Sequence, residues 1–141
     1  MDITIDKNYK GLKNVGWRYE LQGNLSCDGT IKIDLDKGLF ISGSIEAGEY
    51  IEAGGSIEAG RYIEAGGSIE AGGSIEAGEY IEAGESIEAG ESYGISAGLS
   101  ISCKGLLKFG LKCFAGICTW RQIEENEKTI TCGKLEGGTI E

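Results

Sequence analysis

The sequence contains no histidine, no proline, a single methionine and no long apolar run. The lack of histidine removes the side chain that most often acts as a general acid or base near neutral pH. The lack of proline is compatible with an uninterrupted ladder of backbone hydrogen bonds. No stretch of about 18 apolar residues occurs, and no basic segment precedes an apolar one near the start, so we expect neither a transmembrane helix nor a signal peptide.

The five cysteines are an odd number, and no two of them form a CxxC pair. Without a secretion signal, we expect them to be reduced, in an intracellular protein, and to behave as small buried hydrophobic residues. Their spacing does not fit a zinc knuckle, and no histidine can complete one, so we expect no metal site and no cofactor. The cysteines are Cys27, Cys103, Cys113, Cys118 and Cys132.

Residues 45–92 repeat one six-residue phrase eight times, Ile-Glu-Ala-Gly followed by two variable residues. A short fixed period of this kind is typical of a solenoid, in which each unit buries its apolar face against its neighbours. In an extended strand, Ile and Ala would point inward, and Glu would point outward. Glycine would supply the backbone freedom required at a corner. A helix would place a glycine in every second turn, at about 1 kcal/mol each, and is excluded.

The sequence leaves open how many phrases make one coil. Three phrases give a triangular β-solenoid with an eighteen-residue coil, and two give a flattened, two-sided one with a twelve-residue coil. The triangular coil places Arg61 over Glu79 and Tyr62 over Tyr80, whereas the two-sided coil places Arg61 and Tyr62 over Glu49 and Tyr50. Each register supplies one ion pair and one aromatic stack. We favour the triangular form because hexad repeats commonly build it.

The whole chain is interpreted as one all-β domain in three parts. Residues 1–38 are predicted to form N-terminal cap strands, residues 39–118 the β-solenoid, and residues 119–141 a C-terminal cap hairpin with strands at 117–123 and 129–135. The pair Asp28-Gly29 predicts a further hairpin in the N-terminal part. We expect Trp17 and Trp120 to pack on the caps, with a role as partner-binding anchors as the alternative.

Beyond the repeat, a degenerate six-residue step continues at Ile95, Ile101, Leu107 and Cys113. The Glu of the second position is replaced there by Ser, Lys or Phe. If the first positions face inward, other large apolar side chains must face outward, and an exposed apolar patch is a common mark of an interface. We therefore expect a homodimer whose self-association residues are Leu99, Leu106, Leu111 and Phe114.

The formal net charge of −10 lies entirely on the repeat. Residues 43–92 carry twelve Glu and one Arg, whereas the flanking segments are nearly neutral. Identical residues in stacked strands lie about 4.8 Å apart, so each column of Glu brings a repulsion of about 0.9 kcal/mol per neighbouring pair even in bulk water. Either the acidity is a by-product of repeat duplication that helps solubility, or the Glu side chains meet a cationic partner. The acidic side chains would repel nucleic acid itself.

The residues before several of the Ile are tyrosines, which are expected to project outward beside the Glu. Tyr and Glu together suit a protein interface, although simple surface decoration is equally compatible with the pattern. The candidate partner-binding residues are Glu46, Glu52, Glu58, Glu64, Glu70, Glu76, Glu82, Glu88, Tyr50, Tyr62 and Tyr80.

The unbroken Ile-Glu-Ala-Gly text, with Tyr or Ser before each repeat Ile, resembles small repetitive β-solenoid proteins encoded in phages and mobile elements of Gram-positive bacteria. It is also distantly similar to bactofilins, which polymerise through a β-helix core, although the tryptophan-containing ends do not match that family. The phage resemblance implies an inhibitor of a host defence system that acts in the cytoplasm of the bacterial cell. No family residue beyond the repeat Glu transfers to this sequence.

The functional hypothesis is therefore a non-enzymatic acidic binding protein. Hexad β-helices are best known as acyltransferases, but this chain has no His, no nucleophile with a paired base and no phosphate-binding GxGxxG. We expect the acidic face made by the eight repeat Glu to imitate nucleic-acid charge and to block a basic groove on another protein. The alternative is a structural or polymer-forming scaffold in which the acidity is incidental.

Overall fold

The chain is a parallel β-solenoid, and the computed structural model describes residues 2–90, 93–115 and 129–140 of it. These residues contain no helix, and hence no helix that is long and apolar enough to cross a bilayer. In chain order the strands are β1 (Ile3–Ile5), β2 (Lys13–Asn14), β3 (Arg18–Leu21), β4 (Leu25–Cys27), β5 (Ile31–Ile33), β6 (Gly38–Ile41), β7 (Ile45–Ala47), β8 (Ile51–Ala53), β9 (Ile57–Ala59), β10 (Ile63–Ala65), β11 (Ile69–Ala71), β12 (Ile75–Ala77), β13 (Ile81–Ala83), β14 (Ile87–Glu88), β15 (Ile95–Ala97), β16 (Ile101–Cys103), β17 (Leu106–Ala115), β18 (Ile130–Thr131) and β19 (Lys134–Ile140).

The strands stack into three flat faces. The first face contains β1, β5, β8, β11, β14 and the start of β17, whereas the second contains β2, β3, β6, β9, β12, β15 and the end of β17. The third face contains β4, β7, β10, β13, β16 and β18. Since each of the eight phrases supplies one strand and consecutive phrases lie on consecutive faces, three phrases complete one coil.

The register within the repeat confirms the triangular form with three phrases per coil. Ile63 pairs with Ile45 below it and with Ile81 above it. The variable positions follow the same register: the Arg61 Nε lies 3.2 Å from the Glu79 carboxylate, and the Tyr62 and Tyr80 rings stack with centroids 4.9 Å apart. The two-sided coil of two phrases is therefore wrong. Outside the repeat, two-residue insertions lengthen some coils, as in the pairing of Ile81 with Ile101.

The core is a set of inward columns of β-branched side chains. All eight repeat Ile are completely buried, and the third-position Ala are buried or partly buried beside them. The degenerate positions Ile95, Ile101, Leu107 and Cys113 are also fully buried. The first three pair in register with repeat Ile, and Cys113 pairs with Ile95. The sequence-based prediction that the solenoid continues beyond the repeat is therefore confirmed.

The repeat glycines serve a purpose that differs from the predicted one. Positive φ angles occur only at Gly11, Gly16, Gly23 and Gly137 among the described residues, so the fourth-position glycines do not need left-handed backbone. At Gly66, Gly72 and Gly84, a Cβ atom would instead overlap the carbonyl oxygen of the glycine one coil below. At every fourth position except Gly54, the corner backbones of successive coils approach too closely for any side chain.

The N-terminal end of the core is covered by the chain between β1 and β2. Tyr9 and Leu12 are partly buried against the core, and the antiparallel pair β2–β3 extends the second face. Parallel stacking already begins at β1 and β3, which pair with β5 and β6, within the segment predicted to be the cap. The hairpin predicted at Asp28-Gly29 is wrong, because the strands on either side of this pair lie on different faces and do not pair with each other.

At the C-terminal end, β18 pairs in parallel with β16, and β19 pairs in parallel with β17. Ile130 lies in register with Ile101, and Leu135 lies in register with Leu107. The predicted return strand at 129–135 is thus divided between two faces. The first strand and the turn of the predicted hairpin, together with Trp120 and Cys118, lie outside the described residues.

Candidate functional site: three glutamate columns

The eight repeat Glu form three separate columns instead of one acidic face. Because successive phrases lie on successive faces, the second positions are distributed around the solenoid. The third-face column consists of Glu46, Glu64 and Glu82, the first-face column of Glu52, Glu70 and Glu88, and the second-face column of Glu58 and Glu76. The hypothesis of a single face made by all eight is therefore wrong, and each column must be considered by itself.

The second-face column is partly compensated by Arg18 of β3, which pairs with Glu58 and with the nearby Glu20. The Arg18 Nη1 group donates a hydrogen bond of 2.8 Å to Glu58, and the Nη2 group donates one of 2.7 Å to Glu20. The guanidinium also lies 4.3 Å from the ring centroids of both Trp17 and Phe40. Charge-assisted hydrogen bonds from a stacked guanidinium compensate the carboxylates at this end of the face.

The first-face column has a lysine at each end. Lys32 pairs in register with Glu52 below the column, and Lys108 pairs with Glu88 above it. A shallow groove of about 660 Å³ runs along this face and includes both lysines in its lining. The three carboxylates therefore lie between two cations of the same chain, and this face offers less uncompensated charge to a partner.

The third-face column has no basic residue in register among the described strands. Its neighbours are Ser26 below Glu46 and Ser102 above Glu82. Desolvation, together with hydrogen bonds to Glu82 and Glu46 and their charges, raises the pKa of Glu64 to about 7. Three stacked carboxylates without a counter-charge in register thus hold a proton that a single exposed Glu would release at pH 7.

One lysine does border the third face. A groove of about 540 Å³ runs along this face, and Lys104 lines its far end. Lys104 is exposed and follows β16 at the corner, whereas Lys108 lies directly above the first-face column. Glu64 lies at the middle of the third-face column, between two other carboxylates and with no cation in register.

Two stacked tyrosines border the third-face column. The Tyr62 hydroxyl donates a hydrogen bond of 2.5 Å to Glu46, and the half-buried ring of Tyr62 stacks on that of Tyr80 with an angle of 1° between their planes. This hydrogen bond raises the pKa of Tyr62, and desolvation followed by the charge of Glu64 raises that of Tyr80. The pair is therefore an ordered edge of the column, and it contributes to stability as well as to the surface.

The third predicted tyrosine lies at a different corner. Tyr50 is exposed, and its ring lies across Gly67 in the coil above, where a Cβ atom would come within 2.9 Å of Tyr50 Cε1. The Glu85 carboxylate raises the pKa of the Tyr50 phenol. Tyr50 is therefore separated from the Tyr62–Tyr80 pair, and the three predicted tyrosines do not form one patch.

Each of the other two columns also contains a carboxyl group with a raised pKa. Desolvation followed by the neighbouring Glu88 raises the pKa of Glu70, and desolvation followed by the charge of Glu58 raises that of Glu76. A carboxyl group whose folded-state pKa exceeds its ordinary value favours folding when protonated. For Glu64 this stabilisation is complete below its ordinary value of about pH 4.5, and it is lost as the pH rises through about 7.

We therefore expect the chain to be more stable at about pH 5.5 than at about pH 8. The expected difference is on the order of 1–2 kcal/mol, less than the full pKa shift would give, because the column borders solvent. Urea unfolding at both pH values measures this difference in the free energy of unfolding. In Glu64→Gln the stability at pH 8 should rise and the pH dependence should flatten. A wild-type chain that is more stable at pH 8 would contradict the prediction.

Below about pH 4 the dependence should reverse. The Tyr19 hydroxyl donates a hydrogen bond of 2.7 Å to Asp36 and lowers the pKa of that carboxyl group. A lowered pKa contributes stability that is present above the ordinary value and is lost as the pH falls through the folded-state value. The stability maximum is therefore expected near pH 5, between the two effects.

The predicted self-association residues are only partly visible. Leu99 occupies a corner between the second and third faces, Leu106 begins β17, and both are half-buried. Leu111 and Phe114 lie on β17, but their side chains are outside the described set. The exposed apolar patch and the homodimer therefore remain predictions.

Arg18 was not among the site residues predicted from the sequence, and Trp17 was considered only as an alternative partner-binding anchor. The Trp17 side chain is 73% exposed, so its predicted packing on the cap is wrong. It lies beside a small groove of about 240 Å³ that also borders Glu58 and Glu76. The ion pair between Arg18 and Glu58 joins residues 40 positions apart. This ion pair could be inferred only from the number of residues in each coil, which the sequence left open.

The described residues contain no group of three or more Cys, Asp or Glu side chains placed to hold a metal ion. Comparison of the chain with protein-family models, curated proteins and solved structures gives no match.

Proposed function

We propose that this chain is a non-enzymatic acidic binding protein that occupies the basic nucleic-acid-binding groove of another protein. The observation that carries the proposal is the in-register stacking of Glu on three faces. Each coil of the repeat presents three carboxylates, and stacked strands are about 4.8 Å apart, so one carboxylate occurs per ~1.6 Å of axis. Double-stranded DNA carries one negative charge per about 1.7 Å.

The match in charge density extends only over the repeat. Eight phrases at three per coil span about 13 Å of axis, roughly the length of four base pairs. A partner groove that contacts a few phosphates would therefore be occupied, whereas a long duplex-binding channel would not be filled. The rigid solenoid is already ordered before binding, which lowers the entropic cost of association.

The third face is the surface best suited to the partner. Arg18 compensates the second face, and Lys32 with Lys108 compensates the first, whereas the column centred on Glu64 has no cation in register on the described strands. A partner Arg or Lys placed over Glu64 would replace the bound proton and relieve the repulsion. The Tyr62–Tyr80 pair beside it supplies aromatic area of the kind enriched at interfaces.

The resemblance to phage-encoded solenoids adds a cellular location and a class of target to this proposal. A protein from a phage or mobile element that imitates nucleic-acid charge would act in the cytoplasm of the host bacterium, as an inhibitor of a defence protein. Its partner is a basic protein, and direct binding of nucleic acid is not part of the proposal, since both surfaces are negative.

The test is capture on the immobilised chain from a Gram-positive cell extract, followed by competition. Proteins retained at about 50 mM salt should be released by about 200 mM salt and, at low salt, by added duplex DNA or RNA, because the chain and the nucleic acid compete for one groove. Affinity for a purified retained protein should be higher at pH 8 than at pH 6, since binding displaces the proton of Glu64.

Matched charge variants identify the face. The triple change of Glu46, Glu64 and Glu82 to Gln should reduce the affinity at least tenfold, whereas the same change at Glu52, Glu70 and Glu88 should have a much smaller effect. Both variants lose three carboxylates from the repeat, so net charge alone cannot explain a difference. A retained protein that holds the chain and a duplex at the same time, or binds both variants like the wild type, would refute the proposal.

A polymer-forming scaffold is the second candidate, and one observation favours it. The C-terminal coil continues the parallel ladder through β18 and β19, and Leu135 on β19 is 46% exposed. An open parallel edge can add the edge of another copy. A light-scattering signal that grows with concentration and persists at about 200 mM salt would favour the scaffold, because edge pairing does not depend on the Glu columns.

A further inference from the structure

The cysteines at the C-terminal end of the solenoid form a cluster that neither the fold nor the proposed function uses. Cys103 and Cys113 are buried and reduced, and Cys132 is half-buried against the core. Desolvation followed by the charge of Cys132 raises the pKa of both buried thiols, to about 12 for Cys113. All three thiols therefore lie in the last coils, where their charges affect one another.

The strand register singles out one pair within this cluster. β18 stacks on β16 with Ile130 over Ile101 and Thr131 over Ser102, so Cys132 is the next residue above Cys103. The same register still holds at the following residue, since a Cβ atom on Gly133 would overlap the Lys104 carbonyl oxygen. It shifts by one residue only after Cys132, where the Gly133 and Lys134 amides both donate hydrogen bonds of 3.0 Å to the Gly105 oxygen and Lys134 pairs with Leu106. Cys103 and Cys132 are consecutive members of one inward column.

The other cysteines of the described residues lack such a neighbour. Cys113 lies over Ile95 and under Ile140, and Cys27 lies under Ala47 at the opposite end of the solenoid. Stacked strands place Cα atoms about 4.8 Å apart, within the range of about 4.4–6.8 Å that a disulfide spans. Since Cys132 lies just beyond the last residue of β18, a small adjustment of its backbone need not disrupt the ladder.

We propose that Cys103 and Cys132 form a reversible disulfide that fastens the last coil to the coil beneath it. The co-reactant is a low-molecular-weight disulfide. The half-exposed Cys132 thiolate attacks one sulfur of that disulfide, forms a mixed disulfide and releases one thiol. The Cys103 thiolate then attacks the Cys132 sulfur and expels the second thiol. The two protein thiols are oxidised, the co-reactant is reduced, and the two protein protons leave with the two thiols.

The expected consequence is a more firmly held C-terminal end. The Ile101 amide donates a hydrogen bond of 2.8 Å to the Thr129 carbonyl, so it exchanges with solvent only when the last coil lifts. In a solenoid an end coil is bound by one neighbour only, and it opens more readily than the centre. A covalent link across this contact suppresses the opening while leaving the central coils unchanged.

The test is oxidation of the full chain with oxidised glutathione, followed by peptide mapping and amide hydrogen exchange. The expected products are a Cys103–Cys132 cross-linked peptide and at least tenfold slower exchange of the Ile101 amide, both reversed by dithiothreitol. The exchange of the Ile63 amide, in a central coil, should not change. The variants Cys113→Ser and Cys118→Ser should retain the cross-link, and Cys103→Ser should lose it.

Peptide mapping of the wild-type chain shows whether Cys103 and Cys132 are linked, even if a variant fails to fold. A cross-link between any other pair, or thiols at positions 103 and 132 that remain free under oxidised glutathione while the chain stays folded, would overturn the proposal. A cross-link that forms without slowing the exchange of Ile101 would also overturn it, because the bond would then not fasten the coil.

Discussion

Replacement of Gly72 by Ala is expected to lower the free energy of unfolding by about 3 kcal/mol or more. An added Cβ atom would overlap the Gly54 carbonyl oxygen one coil below, and the contact involves backbone on both sides, so no side chain can move away. The Gly72 amide donates a hydrogen bond of 3.0 Å to the Ala53 carbonyl, which holds the two coils at this distance. Urea unfolding followed by circular dichroism measures the loss.

The same change at Gly54 is the matched control, because this glycine occupies the fourth position of a phrase on the same face. The coil beneath turns this corner with two more residues between the paired positions, since Ile33 lies in register with Ala53 and Leu39 with Ile57. The nearest atom to a Cβ at Gly54 is the Leu35 oxygen at 3.9 Å. Gly54→Ala should therefore lower the free energy of unfolding by less than about 1 kcal/mol. The lower conformational entropy of the unfolded chain with Ala can offset this loss. Equal losses in the two variants would contradict the steric explanation.

Truncation of Ile69 to Ala is expected to cost about 3–4 kcal/mol. Ile69 is completely buried, between Ile51 below and Ile87 above, and the flanking coils are held by their own ladders and cannot collapse into the cavity. The conservative change Ile69→Val should cost only about 1 kcal/mol, since it removes one methyl group. Thermal or urea unfolding of the two variants gives both values.

Ile3 provides the control within the same column. It lies in register below Ile31 at the end of the first face, where it is only half-buried. Ile3→Ala should therefore cost on the order of 1 kcal/mol, because solvent already reaches the site and an end strand has a single neighbour. If Ile3→Ala and Ile69→Ala were equally destabilising, the inward columns would not be the main source of stability.

Much of the fold could be predicted from the repeat text, because each inference depended on chemistry that acts within a few residues. Period-two alternation of Ile and Ala determines which side chains face inward, and β-branched Ile excludes the helix. The same six-residue step at Ile95, Ile101, Leu107 and Cys113 was sufficient to place four further buried positions. These conclusions concern one strand and its immediate corner, so they needed no knowledge of the coil above or below.

The candidate site could be predicted only in part, because charge compensation depends on residues from different coils. The repeat identified the Glu but presented all eight as equivalent. The register divided them into three columns and placed Arg18 on the second and two lysines around the first. Within the described strands, only the column centred on Glu64 was left with neither an ion pair nor a cation in register, and no local pattern distinguishes Glu64 from Glu70 or Glu76.

The sequence by itself determined the all-β solenoid, its inward Ile columns and the confinement of the net charge to the repeat. The tertiary structure alone decided how many phrases close a coil, since two and three phrases satisfied the local pairings equally well. It also decided why the fourth position is glycine: the constraint is the carbonyl oxygen of the coil below and not a positive φ. Both answers depend on the distance between coils, which is a property of the stack and not of any single phrase.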